Sequence, residues 1–400
     1  MDDTIELTTT GVAHGGYCVA RHEGVVVMVA GALPGEVVRA VLTGRRSRVW
    51  YARVVDVSTP SPDRVPHVWG LAERSGVGGA DLGHVGLAAG RAWKADVIAQ
   101  QFGRLAHHHV SVAVAAAPGD EARRGLAWRT RATVQIDEAG RPGMYAAKSH
   151  RIVPLDALPL AHEDIQAALA AAAPRPELAG GTLTYVRPSA SGLVTVPGPA
   201  VVRETVRVGE TTWEYEVAAA GFWQVHREAP AVLVGAVLDA VGEAPVADLY
   251  AGSGLFTRPL ADRYDRVTAV EESVAAVAGL RRNAAGADIH QGDVAAFLRA
   301  CAPGAYRTIV ADPPRAGAGR AVVDQWLRLG PERLVYVACD PAALARDAAW
   351  LMAGGYDLTA LTAYDLFPYT HHVETVAVFD RGRPRIEMDE RGNRHEPTDG

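Results

Sequence analysis

The first 58 residues set short β-branched runs between glycine and Pro-Gly turns, as in "GGYCVARHEG", "VVVMVAGALPGEVVRAVLTG" and "RVWYARVVDV". Strands of that length closed by tight turns predict a small β-barrel. "STPSPDRVP" (58–66) interrupts the pattern with proline and serine and reads as a linker. From there to about residue 225 the pattern is mixed. "GRAWKADVIAQQFGRL" and "LAHEDIQAALAAAAP" read as helices, the second stopped by Pro174. "WRTRATVQIDEAGRPGMYAAKSHRIVPL" reads as a hairpin with Gly140 and Gly143 near its turn, and "TLTYVRPSASGLVTVPG" returns to strand. From residue 245 the rhythm is regular. Apolar runs in "APVADLYAGSGLF", "RVTAVEES", "ADIHQGDVAAFL", "YRTIVADPPRAG", "RLVYVACDPAAL", "YDLTALTAYDLFPY" and "HHVETVAVFD" alternate with helical segments. Strand–helix alternation of this kind predicts a doubly wound, mostly parallel α/β sheet.

Composition narrows the picture. At 400 residues the chain exceeds one ordinary core, so two or three domains are expected. The boundaries read as a barrel over 1–60, a mixed α+β unit over 61–225, a Rossmann-like α/β unit over 226–382 and a polar tail over 383–400 that is expected to be disordered. There is no apolar run long enough to cross a bilayer, and "MDDTIELTTT" is no secretory signal. Cys18, Cys301 and Cys339 are too scattered for a disulfide framework, which fits a reducing cytoplasm. The net charge of -6 argues against a general nucleic-acid coat, but not against local basic patches. Two such patches are visible: Arg45, Arg46, Arg48 and Arg53 around Trp50 and Tyr51, and Arg123, Arg124, Arg129 and Arg131 around Trp128. The first reads either as a nucleic-acid surface or as core aromatics beside a solvated edge, and the second is a further cluster of the same kind.

Candidate chemistry gathers where the strands of the last unit end. Gly252 and Gly254 follow its first strand, in a turn that admits a ligand close to the backbone. Glu271 ends the second strand, placed for ribose hydroxyls, and Gly292–Asp293 follow the third. Together these fit an S-adenosylmethionine pocket, with simple packing as the alternative for Glu271. Asp312, in "VADPPRAG", follows the fourth strand; it reads as a ligand-facing acid or as the cap of a rigid turn. Cys339 ends the fifth on the same rim, just before a helix, where a depressed thiol pKa and nucleophilic chemistry are expected. Cys18 and Cys301 have no such setting. Glu374 interrupts the apolar last strand, where a carboxylate is costly unless it is used, paired or exposed at an edge. His371 and His372 are near, and as neighbours on a strand only one would face the site. The three histidines at 107–109 lack partner ligands and read as a solvated loop; no metal site is expected.

"FWQVH" (222–226), "DLYAGSGLF", "AVEES", "DPPRAG", "VACDP" and "DLFPYTHHVETVAVF", in this order, resemble the S-adenosylmethionine-dependent RNA uracil-C5 methyltransferases of tRNA and 23S rRNA. The resemblance covers most of the chain, and residues 1–58 resemble the family's TRAM domain. It implies Cys339 as nucleophile and Glu374 as base. It implies Gln224, Tyr250, Gly252, Glu271 and Asp312 around S-adenosylmethionine, with Phe222 or Trp223 stacking on an extruded base. The partner implied is RNA, rRNA ahead of tRNA, with a monomeric enzyme and no membrane.

Three positions depart from the family. Asp340 follows the nucleophile where asparagine is usual, and an unpaired charge there would raise the thiol pKa. His226 stands where asparagine is common. Many relatives acting on rRNA hold an iron–sulfur cluster on four cysteines. The corresponding positions here are Leu71, Val77, Ala80 and Leu158, so no cluster is expected and the region is expected to pack as an apolar core. A non-catalytic RNA-binding or ribosome-assembly factor, a tRNA uridine methyltransferase and a small-molecule C-methyltransferase are the competing readings.

Overall fold

The structure is a computed structural model that describes residues 4–146, 149–198 and 201–382; the tail expected to be disordered, 383–400, lies outside the described residues. Strands β1 (Thr4–Ala13), β2 (Tyr17–His22), β3 (Val25–Ala30), β4 (Val37–Arg45) and β5 (Val49–Thr59) close a barrel in the order β1-β2-β3-β5-β4. Alternation does the work: in β3, Val27 and Val29 point inward to meet Leu7, Val38, Ala40 and Ala52. The predicted linker is tied down. The buried Glu36 carboxylate accepts from Leu33 N at 2.8 Å, from Ser61 N at 3.0 Å and from Arg64 Nε at 2.6 Å.

Helix α1 (Gly70–Ser75) precedes the long α2 (Leu87–Gln101), whose last turn loosens into a π-turn over Phe102–Ala106. α2 serves two cores. Trp93 and Val97 enter the barrel core, while Ile98 and Phe102 enter the core of the last sheet. Its Lys94 is buried, pairing with Asp365 and donating to the Phe367 carbonyl at 3.0 Å.

After the short β6 (Val114–Ala116), β7 (Arg131–Ile136), β8 (Pro142–Tyr145), β9 (Ile152–Pro154), β10 (Thr182–Val186) and β11 (Val194–Val196) form a sheet in the order β11-β10-β7-β8-β9. Helix α3 (Glu163–Ala170), capped by His162, packs Ile165 and Leu169 into its core. The hairpin β12 (Val201–Val208) and β13 (Thr211–Ala218) packs Val206, Trp213, Tyr215 and Val217 against Leu233 and Val237 of α4 (Ala229–Ala240).

The last sheet runs through β14 (Val246–Leu249), β15 (Val267–Glu271), β16 (Asp288–Gln291), β17 (Thr308–Ala311), β18 (Arg333–Ala338), β19 (Tyr356–Asp365) and β20 (Glu374–Arg381), in the order β16-β15-β14-β17-β18-β20-β19-β6. β14, β15, β16, β17 and β18 are parallel, and β20 is antiparallel to both of its neighbours. Helices α5 (Thr257–Arg263), α6 (Val274–Asn283), α7 (Val294–Ala300), α8 (Arg320–Leu329) and α9 (Pro341–Ala353) connect the strands. β14 and β17 are buried at every position, as strands covered on both faces must be. The parallel order reverses about β14, so the carboxyl ends of β14, β15, β17 and β18 open on one crevice, the place where such sheets bind ligands.

Candidate active site

The turn after β14 is built for close approach. Tyr250, Gly252 and Gly254 all have positive φ, at 62°, 57° and 92°. A Cβ on Gly254 would lie 2.9 Å from Leu280, whereas nothing stands within 4 Å of one on Gly252, so Gly254 packs inward and Gly252 faces open space. Glu271 braces the turn. Its Oε2 accepts from Gly252 N at 2.9 Å and its Oε1 from Ser273 N at 2.7 Å. The carboxylate is therefore held at the lip of the open face, and the residues present fit an S-adenosylmethionine ribose and its attached chain. Asp293 caps α7, accepting from Ala296 N at 2.8 Å. Asp248 was not legible in the sequence. It lies fully buried within β14, one residue before its end, accepts from Thr257 Oγ1 at 2.5 Å on one oxygen, and has no partner on the other. Burial pushes its pKa up to about 7.

Cys339 and Glu374 come together on the next strands. Ala338 is registered against Thr375 across β18 and β20, and the Thr375 hydroxyl donates to the Ala338 carbonyl at 2.9 Å. Cys339 and Glu374 lie one step beyond the last pair of that ladder, and the Glu374 carboxylate acts electrostatically on the thiol. β20 is an interior strand and Glu374 is 3% exposed, so the edge position that was one option for this acid does not hold. Its Oε2 is buried without a hydrogen-bond partner, and its pKa is driven well above the usual range by burial and by Asp312. Asp312 is itself pushed up to about 7 by burial and by Asp248.

The expected depressed thiol pKa is overturned. Burial first, then the Glu374, Asp312 and Asp340 carboxylates, push the Cys339 thiol up to about 12; the Arg315 guanidinium opposes them. Desolvation and like charge outweigh the helix N-terminus here. Asp340 is not unpaired. Its Oδ1 caps α9 by accepting from Ala342 N and Ala343 N at 3.0 and 2.8 Å, and its Oδ2 lies 3.1 Å from His14 Nε2 on the barrel.

The "FWQVH" loop separates its residues, and its cavity is lined by none of Cys339, Glu374, Asp312, Gly252 or Glu271. Phe222 is 75% exposed, while Trp223 is buried against Tyr215, which leaves Phe222 as the ring free to stack. Gln224 is buried on the wall of a polar cavity of about 230 Å³ shared with Thr130, Arg187 and Glu204. His226 is buried and held at both ring nitrogens: Nδ1 accepts from Glu228 N at 3.0 Å, and Nε2 meets the Asp120 carboxylate at 3.0 Å.

The two basic-aromatic patches differ. Arg45 and Arg46 are exposed and cover Trp50 and Tyr51 at 4.9 and 5.7 Å. In the second patch Trp128 is wholly buried, Arg123 pairs with Asp120 and Arg131 with Glu204, so much of it is core. His371 and His372 lie in a bend before β20, not on a strand. Their rings are 4.0 Å apart, with His371 on Asp81 at 2.6 Å and His372 accepting from Arg315 at 3.4 Å. His107, His108 and His109 are exposed. Among the described residues no group of three or more His, Cys, Asp or Glu side chains is placed to hold a metal. Leu71, Val77, Ala80 and Leu158 converge in one apolar core with Trp69, Trp128 and Leu160.

Residues 298–381 match the family model described as tRNA (Uracil-5-)-methyltransferase. An RNA methyltransferase of Bifidobacterium longum is 39% identical over 92% of this chain and 94% of its own. The 23S rRNA (uracil(1939)-C(5))-methyltransferase of Alkalilimnicola ehrlichii is 33% identical over 95% of this chain and 97% of its own. The chain belongs to the RNA uracil-C5 methyltransferase family. The family's enzymes are S-adenosylmethionine-dependent RNA methyltransferases, and this chain is one of them. The fold agrees. The Pyrococcus abyssi tRNA (uracil-54, C5)-methyltransferase, crystallised with S-adenosyl-L-homocysteine, superposes with a TM-score of 0.70 at 20% identity, covering 94% of this chain and 100% of that one. Among the described residues no helix is long and apolar enough to cross a membrane.

Proposed function

We propose that this methyltransferase modifies C5 of a uridine in 23S rRNA by covalent catalysis, with Cys339 adding to uracil C6 and Glu374 accepting the C5 proton. The observation that carries the reading is the register that sets Cys339 beside a buried, unpartnered carboxylate oxygen of Glu374. The 33% identity to the Alkalilimnicola enzyme over almost its whole length supports rRNA as the target.

Uracil C5 is a poor nucleophile. A C–S bond from Cys339 to C6 turns the ring into an enolate whose C5 carries electron density. The thiol is protonated at rest, so its proton must leave as that bond forms. Asp312, whose carboxylate acts electrostatically on the thiol, is assigned to receive it. S-adenosylmethionine, when bound, supplies an electrophilic methyl group, and Gln224, Tyr250, Gly252, Glu271 and Asp312 are the residues assigned to hold it. After methylation Glu374 takes the proton from C5, the C6–S bond breaks, and Cys339 is released. A carboxylate kept from water is a strong base, and the Arg315 charge favours the ionised form that the step needs.

The barrel over 1–60 and the central unit over 61–225 are assigned to RNA, and residues 226–382 to the chemistry. Phe222 is placed to stack on a base extruded from RNA structure. The central unit is read as free of an iron–sulfur cluster because its four positions fill a hydrophobic core instead.

The test is methyl transfer from labelled S-adenosylmethionine into total RNA lacking 5-methyluridine, followed by separation of the RNAs. Label in 23S rRNA is expected. Label in tRNA alone would reassign the substrate, and no label with RNA binding intact would favour a binding factor.

A further inference from the structure

The turn between β1 and β2 belongs to the barrel, yet it reaches the rim of the catalytic sheet. His14 Nε2 lies 3.1 Å from Asp340 Oδ2, across 326 positions of sequence. The turn has no slack. A Cβ on Gly16 would fall 2.6 Å from Asp81 Oδ2 and 3.4 Å from His371 Cβ, so only glycine lets the loop seat this closely. Asp81 in turn accepts from His371 N at 3.0 Å and meets its Nδ1 at 2.6 Å, and the His14 and His371 rings sit edge-on at 6.4 Å. The barrel is thus docked on the bend that leads into Glu374 and on the cap that follows Cys339.

Charge gives this contact a purpose. Cys339 is faced by Glu374 from β20, Asp312 from the end of β17, Asp340 from its own strand end and Arg315 from the Asp-Pro-Pro turn. That is three carboxylates against one guanidinium around a thiol that must become an anion. Of the three, Asp340 alone has an imidazole on its free oxygen. Around His14 the titratable groups are Asp340, His371 and, behind Gly16, Asp81.

We propose that His14 is a positioning residue for Cys339: its imidazolium neutralises Asp340, fixes the start of α9 and makes thiolate formation depend on the docked barrel. The proposal rests on the reading of Cys339 as nucleophile. Asp340 binds His14 more tightly as an ion pair, which raises the histidine's pKa and lowers the carboxyl's. The charge balance beside the thiol then holds while His14 is protonated and fails as it loses its proton with rising pH.

The experiment measures the rate of covalent adduct formation with 5-fluorouridine-containing rRNA across pH 6–9. The proteins are the wild type, His14→Ala, His14→Gln, Asp340→Asn and the His14→Ala/Asp340→Asn double variant. RNA affinity is measured in parallel. An uncompensated like charge near the thiol should slow His14→Ala on the order of three- to tenfold at the low end of that pH range and move its rate rise to higher pH. Asparagine keeps the helix cap, so Asp340→Asn should be faster than wild type, with its rise at lower pH. In that background His14→Ala should change nothing further. His14→Gln keeps a donor without a charge and should behave as His14→Ala. Equal slowing by His14→Ala in both backgrounds, rescue by glutamine, or a loss that RNA affinity wholly explains would each overturn the proposal. A wild type that binds RNA and forms no adduct would overturn the nucleophile reading beneath it, a separate and recognisable outcome.

Discussion

Glu374 stands across the sheet from Cys339. Their neighbours Thr375 and Ala338 are the last pair of the β18–β20 ladder and are joined by a 2.9 Å hydrogen bond from the Thr375 hydroxyl, so Cys339 sits in the first step beyond a fixed register. A site built on strands keeps its geometry when RNA loads the surrounding domains. Glu374 is shut off from water and Cys339 is half-buried, and burial drives each toward its neutral form before substrate arrives.

If Glu374 removes the C5 proton, Glu374→Gln should stop after methylation. With ordinary uridine RNA the variant should accumulate a methylated protein–RNA complex that survives denaturing electrophoresis. Turnover should fall roughly a hundred- to ten-thousandfold. Free methylated RNA released at the wild-type rate would assign the proton to another base.

Phe222 and Trp223 are adjacent and should fail differently. Phe222→Ala removes an exposed ring, so RNA binding should weaken by about 1–3 kcal/mol while the unfolding midpoint stays put. Trp223→Ala empties a buried site beside Tyr215 and should cost about 3–5 kcal/mol of stability. Chemical denaturation and filter binding on both variants separate the two effects.

The central core predicts indifference to metal. Leu158→Ala should destabilise by about 2–5 kcal/mol, since the side chain is buried among apolar neighbours. Purified wild-type protein should contain no iron, and treatment with a strong chelator should leave its thermal midpoint unchanged. A visible absorption band lost together with stability on chelation would contradict this.

Buried acids give stability a pH slope of known sign. Asp248 titrates at about 7 when folded, against 3.8 as its ordinary value, so between those limits the folded state holds a proton that the unfolded state has released. Its contribution is therefore full below pH 4 and is lost as pH rises through about 7. Asp248→Asn has no such proton. Its urea midpoint should fall less between pH 5 and pH 8 than that of the wild type, and an identical fall would show that Asp248 does not titrate in this range.

What the sequence disclosed depended on distance along the chain. The glycine turn, Glu271, Asp312, Cys339 and Glu374 were legible because each sits at a strand terminus whose apolar run marks it, and parallel sheets bring such ends together. The core formed by Leu71, Val77, Ala80 and Leu158 was legible because four apolar residues in that segment announce a packed interior. His14 was not legible, because a barrel turn and a helix cap that are 326 positions apart share no local pattern. Nor was the fate of Arg123 and Arg131, whose partners Asp120 and Glu204 turn a basic cluster into internal ion pairs. The direction of the Cys339 pKa was misread because the helix start is visible in sequence, whereas the carboxylates that outweigh it come from other strands.

The most direct test of the account is mass spectrometry of the protein after incubation with S-adenosylmethionine and rRNA containing 5-fluorouridine. Fluorine at C5 cannot be removed as a proton, so the account predicts a stable, methylated adduct mapped to Cys339, absent from Cys339→Ala. Protein that binds both S-adenosylmethionine and RNA but forms no adduct, or an adduct at another residue, would contradict covalent catalysis by Cys339.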